Sequence, residues 1–573
     1  MTNRYDHGRS LLRRWHAAKP RNFYDDDRYL RMALARRLDA KGLAAAEPAL
    51  RQAGGDSAGP IDRASFVLDR PEHLPRVEPW SPLGERTDDV VFHPAYHDVG
   101  RLVWRSGVLA VLGEPGHMTL HAALAYLFGL NGETPHLCSV ACTAGLVKAI
   151  QRAGSDWMRR TWLPRLLESD YDRRWHGAQF LTEVHGGSDV GANACVARPV
   201  PGEPGVFRLS GEKWFCSNVA ADLYAVSARA EGAPDGTPGI GLYVVPRRLD
   251  DGRPNGVTIR RLKNKLGTKS LATAELDFED ALAWALGSPD AGFPLLIGVI
   301  INTSRLEVAI GSSGIMRRAW IEAFHYARVR EAFGRRLIDF PAVRQQLAEI
   351  RVLGTAGLAF TLFVAGLEDE LGVAGLRPED DALYRTAVNL AKFIASTDAG
   401  LVVHHAIEIL GGNGTIEDFS PLPRLYREVP IQESWEGPHN TLMSQLLRDA
   451  RRAKMHDAVL ARAERTLLDI ERPALAASRE AALRLLDRTR SRLTEILRGD
   501  SDDAALHVRG LMTRVARIMQ VALLLDDAQH AGDADGVGWL GAAAQLLLDR
   551  FVRPDDDAVA DGYPALIREI VEG

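Results

Sequence analysis

The spacing of apolar residues changes repeatedly along this chain, and each change marks a different kind of structure. From residue 86 to 178 apolar positions recur every three or four residues, as at Leu120, Ala123, Leu124 and Leu127, the stripe of helices with one buried face. Between 179 and 287 the period becomes two. Val206-Phe-Arg-Leu209, Leu242-Tyr-Val-Val245, Val257-Thr-Ile259 and Ala274-Glu-Leu-Asp-Phe278 read as strands separated by Gly, Pro and Asp turns such as 232–239. They predict an antiparallel sheet or barrel of about seven strands. Helical spacing returns near 293, runs to 329, and recurs over 341–368, 381–410 and 440–452, which predicts a bundle of long helices joined by short loops. Further helices are predicted at 475–497, 504–527 and 539–551. At the other end lie a polar lead, a short helical stretch at 27–43 and a Gly/Pro-containing connection over 54–82. The expected architecture is mixed α and β. It comprises an N-terminal extension (1–85), an N-terminal helical domain (86–178), a middle antiparallel β domain (179–287), a C-terminal helical bundle (288–450) and an added C-terminal helical module (451–573).

Composition narrows the class without naming a function. With 573 residues the chain exceeds a single small domain, and 46% hydrophobic with 25% charged residues is ordinary globular composition. Lys plus Arg total 70 against 75 Asp plus Glu, so the formal charge of −5 offers no global attraction to nucleic acid or an anionic membrane. The four cysteines, Cys138, Cys142, Cys195 and Cys216, are too few and too scattered for a disulfide framework, so reduced thiols are expected. Cys138 and Cys142, four apart near His136, have no matching second pair; they read as small buried residues, and no metal site is expected. Residues 1–19 mix Arg, Asp and His without an apolar core, unlike a secretory signal, and no uninterrupted apolar run of the ~18–20 residues needed to span a bilayer is present. A cytoplasmic protein without membrane association is the expectation.

Candidate chemistry centres on Gln432-Glu-Ser-Trp-Glu-Gly-Pro-His439, about twenty residues after the glycine cluster Leu410-Gly-Gly-Asn-Gly414. Glu436 lies between Trp435, an apolar ring that excludes water and raises a carboxyl pKa, and Gly437, which leaves backbone open to a substrate carbonyl. Such a carboxylate suits removal of a weakly acidic C–H proton. Three further motifs accompany it. Leu181-Thr-Glu-Val-His-Gly-Gly-Ser-Asp-Val190 combines hydroxyls with glycines that let backbone amides approach a planar ring or a phosphate. Gly211-Glu-Lys-Trp-Phe-Cys-Ser-Asn218 presents Phe215 as a flat apolar surface with Ser217 on the same strand face. Arg328-Val-Arg-Glu-Ala-Phe-Gly334 ends a helix with basic residues suited to phosphates. Taken singly, these read equally well as a turn, a core aromatic or a solvated helix end.

In this order and spacing the four motifs resemble the acyl-CoA dehydrogenase family over roughly 86–446. Within it the chain looks most like the adaptive-response AidB branch, through Asp88-Asp-Val-Val-Phe-His-Pro-Ala-Tyr-His97, Arg261-Leu-Lys-Asn-Lys-Leu-Gly267, Met316-Arg-Arg-Ala319 and Arg424-Leu-Tyr-Arg-Glu-Val-Pro430. The resemblance implies the family's α-β-α fold, bound FAD, acyl-CoA substrates, a homotetramer or related oligomer, and electron-transfer flavoprotein as a partner. It implies Glu436 as catalytic base, with Leu181, Thr182, Gly187, Ser188, Phe215 and Ser217 around the flavin, Ser188 also toward CoA, and Arg305 and Gly437 at the substrate. Arg330, Phe333, Gly411 and Gly412 would hold the pyrophosphate and adenosine across a subunit boundary. Two departures stand out. Pro438 replaces a hydroxyl-bearing residue that commonly bonds the flavin, with Asn440 as the expected substitute, and Phe340-Pro341 stands where many relatives carry a glutamine. Two alternative functions remain open. One is an AidB-like DNA-binding protective flavoprotein. Against it, residues 450–573 carry 18 Lys plus Arg and 21 Asp plus Glu, including the acidic run Asp555-Asp-Asp557, although 451–500 carries 12 against 8. The other is a flavin oxidase or monooxygenase on the same fold.

Overall fold

The computed structural model describes residues 4–374, 378–499, 501–532, 537–552 and 570. The acidic run at 555–557 lies outside them. A hairpin, β1 (Arg76–Trp80) and β2 (Arg86–Val91), precedes the helices α1 (Met118–Gly129) and α2 (Leu137–Ala153). The middle sheet contains β3 (Gly177–Phe180), β4 (Val196–Pro199), β5 (Val206–Ser217), β6 (Leu223–Ala230), β7 (Ile240–Pro246), β8 (Val257–Leu262) and β9 (Thr273–Ala285). It is the expected seven-stranded sheet with one correction. Most pairings are antiparallel, but β3 and β4 both run parallel to β6, along successive parts of its length. They are two halves of one interrupted strand, and the loop from Leu181 to Ala194 bulges out between them.

The bundle is built from α3 (Asn302–Val329), α4 (Pro341–Ala374), α5 (Pro378–Leu410), α6 (Leu422–Ser434) and α7 (His439–Ala453). Helix α6 is absent from the periodicity reading because Pro430 marks a break, whereas the helix runs through it. Among the described residues, three helical segments of the bundle, Pro289–Val329, Pro341–Gly372 and Asp380–Thr415, are long and apolar enough by length and composition to cross a membrane, contrary to expectation. Their most apolar windows are 72%, 72% and 61% buried inside the fold, so the core accounts for that apolarity.

Both ends of the chain are more integrated than their polarity predicts. The supposed polar lead is a helix, Arg4–Ala18, whose Trp15 is fully buried, stacked on Phe419 with centroids 5.1 Å apart. The expected Gly/Pro connection begins as helix, from Ala40–Asp56 through a π-helical turn into Asp62–Leu68. Gly54 serves close packing there, because a Cβ on it would lie 2.6 Å from the Tyr24 nitrogen.

The C-terminal module contains α8 (His456–Leu468), α9 (Ala476–Arg498), α10 (Ser501–His530) and α11 (Leu540–Phe551), in agreement with the three helices expected and with one more. Arg517 on α10 pairs both terminal nitrogens with Asp398 of α5, at 2.6 Å each, and both residues are buried. Near the end of the same helix Asp527 accepts from the Tyr29 hydroxyl at 2.6 Å and from Arg36. One hydrophobic core therefore extends from Trp15 to Val552.

The Arg517–Asp398 pair makes a direct test. Replacing Arg517 by Met leaves a buried carboxylate without its partner, for which a destabilisation of about 3–5 kcal/mol is expected. Urea unfolding of the Arg517→Met protein, with flavin retention as a second readout, measures it.

Candidate active site

Helix α6 ends at Ser434, and the chain then makes a turn that glutamate rarely adopts. Glu436 has φ 56° and Gly437 has φ 97°, both left-handed. Two buried cations hold the turn through its carbonyls. Arg305 Nε on α3 donates to the Glu436 carbonyl at 3.0 Å, and its Nη1 donates to Asn389 Oδ1 at 2.6 Å. Lys392 Nζ on α5 donates to the carbonyls of Glu433 and Gly437 at 2.8 and 3.0 Å. Arg305 is thus a buried cation that lines the cavity, with one guanidinium nitrogen on the turn and a second on α5.

The Glu436 carboxyl faces a cavity of about 2570 Å³. One of its oxygens accepts from Gln179 Nε2 at 2.9 Å, and the same amide also donates to Ser304 Oγ at 2.9 Å. Burial pushes the Glu436 pKa up to about 7, against the pull of Arg305, Lys392 and Gln179. Burial and the neighbouring Arg305 likewise lower Lys392 to about 7, while burial lowers Arg305 only to about 10. At neutral pH, Arg305 keeps its charge and Glu436 is poised between acid and base.

The opposite wall comes from the sheet. The loop interrupting β3 and β4 brings Leu181, Thr182, Gly187 and Ser188 to the cavity. Buried Glu183 anchors it, accepting from the nitrogens of Ala194 and Cys195 at 2.6 and 3.1 Å and from Lys213 Nζ at 2.8 Å. Gly187 is required by close approach, since a Cβ there would stand 2.3 Å from Thr182 Oγ1. On β5 the register with β9 slips between Lys213 and Cys216, and this bulge turns Trp214 and Phe215 toward the cavity. The Trp214 nitrogen bonds the Thr182 carbonyl at 2.8 Å, tying the two motifs together. Phe215 stays 54% exposed, and Ser217 shares a 3.1 Å hydroxyl contact with Thr273.

Nine of the expected site residues thus share one cavity: Glu436, Gly437 and Arg305 on the bundle side, and Leu181, Thr182, Gly187, Ser188, Phe215 and Ser217 on the sheet side. Five do not. Arg330 ends α3, Phe333 tips a small hairpin (Glu331–Ala332 with Arg335–Arg336) at 96% exposure, and Gly411 and Gly412 are exposed after α5. These four gather at one end of the bundle, where Asn413 bonds the Tyr326 hydroxyl at 3.0 Å. Asn440 requires a correction: its side-chain oxygen is held by Arg509 of α10 at 2.9 Å, outside the cavity. The hydroxyl beyond Pro438 belongs instead to Thr441, which lines the cavity and meets Ser188 Oγ at 3.0 Å. Sequence reasoning also missed Gln179, Lys392 and the Glu183–Lys213 pair, whose partners lie far apart in the chain.

Comparison with known proteins adds an independent line. Residues 15–173 match the adaptive response protein AidB N-terminal domain, 178–281 the acyl-CoA dehydrogenase middle domain and 290–450 the acyl-CoA dehydrogenase C-terminal domain. Escherichia coli AidB is 34% identical over 65% of this chain and 69% of its own length. Acyl-CoA dehydrogenase family member 11 of Caenorhabditis elegans is 30% identical over 86% of this chain and 84% of its own. This chain belongs to the acyl-CoA dehydrogenase family. The crystal structure of C. elegans ACDH-11 in complex with C11-CoA superposes with a TM-score of 0.86 at 27% identity, covering 96% of this chain and 94% of that one. The apo form of Bd2924 does so at 0.80 and 25%, covering 88% and 98%. Members are FAD-dependent oxidoreductases acting on the CH–CH bond of acyl-CoA thioesters, in agreement with the motif reading. The AidB-type match runs across residue 85, joining the extension to the helical domain, as their shared core also does.

The turn's two cations predict a pH effect. Lys392→Gln keeps a donor for the carbonyls but removes a charge that favours ionised Glu436, so the Glu436 pKa should rise. The rising limb of kcat/KM against pH is then expected to move above 7, as followed by flavin reduction across pH 5.5–9.

Proposed function

We propose that Glu436 is the base that takes the α proton of an acyl-CoA thioester. The reading is carried by the turn itself: a carboxyl with burial-raised pKa, one oxygen held by Gln179, opening into a cavity far larger than the ~300–1,000 Å³ typical of one small ligand. The sheet-side wall fits FAD, because the bulge at Phe215 offers a flat ring face and the Gly187 loop offers backbone and hydroxyls beside it. When bound, FAD supplies the two-electron sink for the β hydride. The protein's own part is to hold the α carbon against the free carboxylate oxygen, to accept the proton there, and to offer the Glu436 amide to the thioester oxygen. The product is the α,β-unsaturated thioester.

The same proposal includes a role for the exposed end of the bundle. Arg330, Phe333, Gly411 and Gly412 await a second copy of the chain, across whose boundary the nucleotide end of FAD is held; Phe333, at 96% exposure, is the natural contact. The C-terminal module serves packing in this reading. Arg484, Arg490 and Arg492 of α9 pair with Glu480, Glu464 and Glu495, so acids on the same surface offset part of the charge that DNA phosphates would need. Buried free thiols suit a cytoplasmic setting, and electron-transfer flavoprotein is the acceptor proposed.

Glu436→Gln should retain FAD and fold while losing acyl-CoA-dependent flavin bleaching by at least ~10²-fold under anaerobic conditions. In the parent protein kcat/KM should rise with pH through about 7, since below it the carboxyl is protonated and cannot accept. A flat profile across that range would reject Glu436 as the base. For the assembly, Phe333→Ser should shift light scattering toward the single-chain mass and reduce bound FAD; unchanged mass and flavin content would remove this contact from the proposal.

A further inference from the structure

One helical turn before Glu436, Gln432 presents its side chain to the same cavity. The residue is only 2% exposed, and its carbonyl oxygen has no hydrogen-bond partner. Buried polar groups are almost always paired, so an orphaned carboxamide at a cavity wall needs a reason. Nothing around it supplies a bond. A Cβ built on Gly311 would lie 3.5 Å from the Leu137 methyl, 3.7 Å from Gln432 Nε2 and 4.0 Å from its Oε1, so the carboxamide sits beside bare glycine backbone that gives way to it. Two other polar residues of the lining are engaged elsewhere: Gln179 bonds Ser304 and Glu436, and Glu307 bonds His121. Leu137 and the bare backbone of Gly311 beside it suit a carbon chain.

We propose that Gln432 is a specificity-determining residue whose carboxamide hydrogen-bonds an oxygen substituent, a hydroxyl or a carbonyl, carried by the acyl chain beyond its β carbon. A carboxamide both donates and accepts, so it serves either group. A plain hydrocarbon chain leaves it unpaired, and a site with a buried polar group discriminates strongly against ligands that lack the matching partner. The inference deepens the dehydrogenase reading and rests on it for the thioester. Its own content is the chemistry of the acyl chain.

Binding tests it separately from turnover. FAD-loaded Glu436→Gln protein would be titrated calorimetrically with hexanoyl- and octanoyl-CoA and with their 4-hydroxy, 5-hydroxy, 4-oxo and 5-oxo counterparts. The same series would be run with Gln432→Leu added. At least one oxygenated thioester is expected to bind about tenfold tighter than its parent, with the preference falling to within about twofold once Gln432 is Leu. Equal binding throughout, or a preference that survives Gln432→Leu, overturns the proposal. Thermal stability guards against a purely structural effect. Because the substitution breaks no protein hydrogen bond, Tm should hold or rise, and a clear fall would show that the protein itself holds the carboxamide, which also overturns it. Should plain thioesters bind without any oxygen preference, only this inference fails. Should no acyl-CoA bind at all, the dehydrogenase reading falls with it.

Discussion

The carbonyls of Glu436 and Gly437 are held by two buried cations, and the site depends on that grip. A left-handed conformation costs a non-glycine residue about 1–2 kcal/mol, whereas a hydrogen bond to a charged group contributes a net ~1.5–3 kcal/mol. One such bond offsets the strain at Glu436, and Arg305 and Lys392 together provide three to the backbone around it. The cations meet the backbone rather than the carboxylate. The side chain is therefore fixed in place without forming an ion pair that would hold it ionised, and burial can raise its pKa to about 7. The groups that position the carboxyl also pull its pKa down, and burial outweighs them.

The sheet solves a complementary problem. A continuous strand would bury its backbone in the ladder and offer a ligand only side chains. Interrupting the strand between β3 and β4 releases a loop of glycines and hydroxyls at the cavity, and the bulge in β5 turns two aromatic residues the same way. The Glu183–Lys213 pair lies beneath both irregularities and links them across the sheet. Two local departures from regular structure thus become one wall.

Much of this was legible in the residues. The change from helical to strand spacing and back marks the middle sheet and the bundle, and the glycine-bearing motifs lead to the cavity because glycine at 187 and 437 answers a local steric need that sequence can display. What escaped was non-local. Lys392 sits in an ordinary helical stretch, and nothing in its neighbours tells that it reaches one carbonyl on α6 and one in the turn that follows. Pro430 signals a helix end that tertiary packing overrides. Asn440 looked like a substitute for the hydroxyl missing at Pro438, but helix phase turns it toward α10 and brings Thr441 to the cavity instead. The N-terminal segment misled for the opposite reason, since its few buried residues, Trp15 foremost, are diluted among charges that face solvent.

The bond between Tyr29 and Asp527 spans 498 positions of sequence. On a ribosome adding about 5–20 residues per second, the first partner waits roughly 25–100 s for the second to be made. Throughout that interval the surface destined for α10 is uncovered on both the early helices and the bundle. The chain cannot finish folding in the order in which it is synthesised. Its earliest segment reaches its final environment among the last, so protection of the nascent chain is part of what this architecture demands of the cell that makes it.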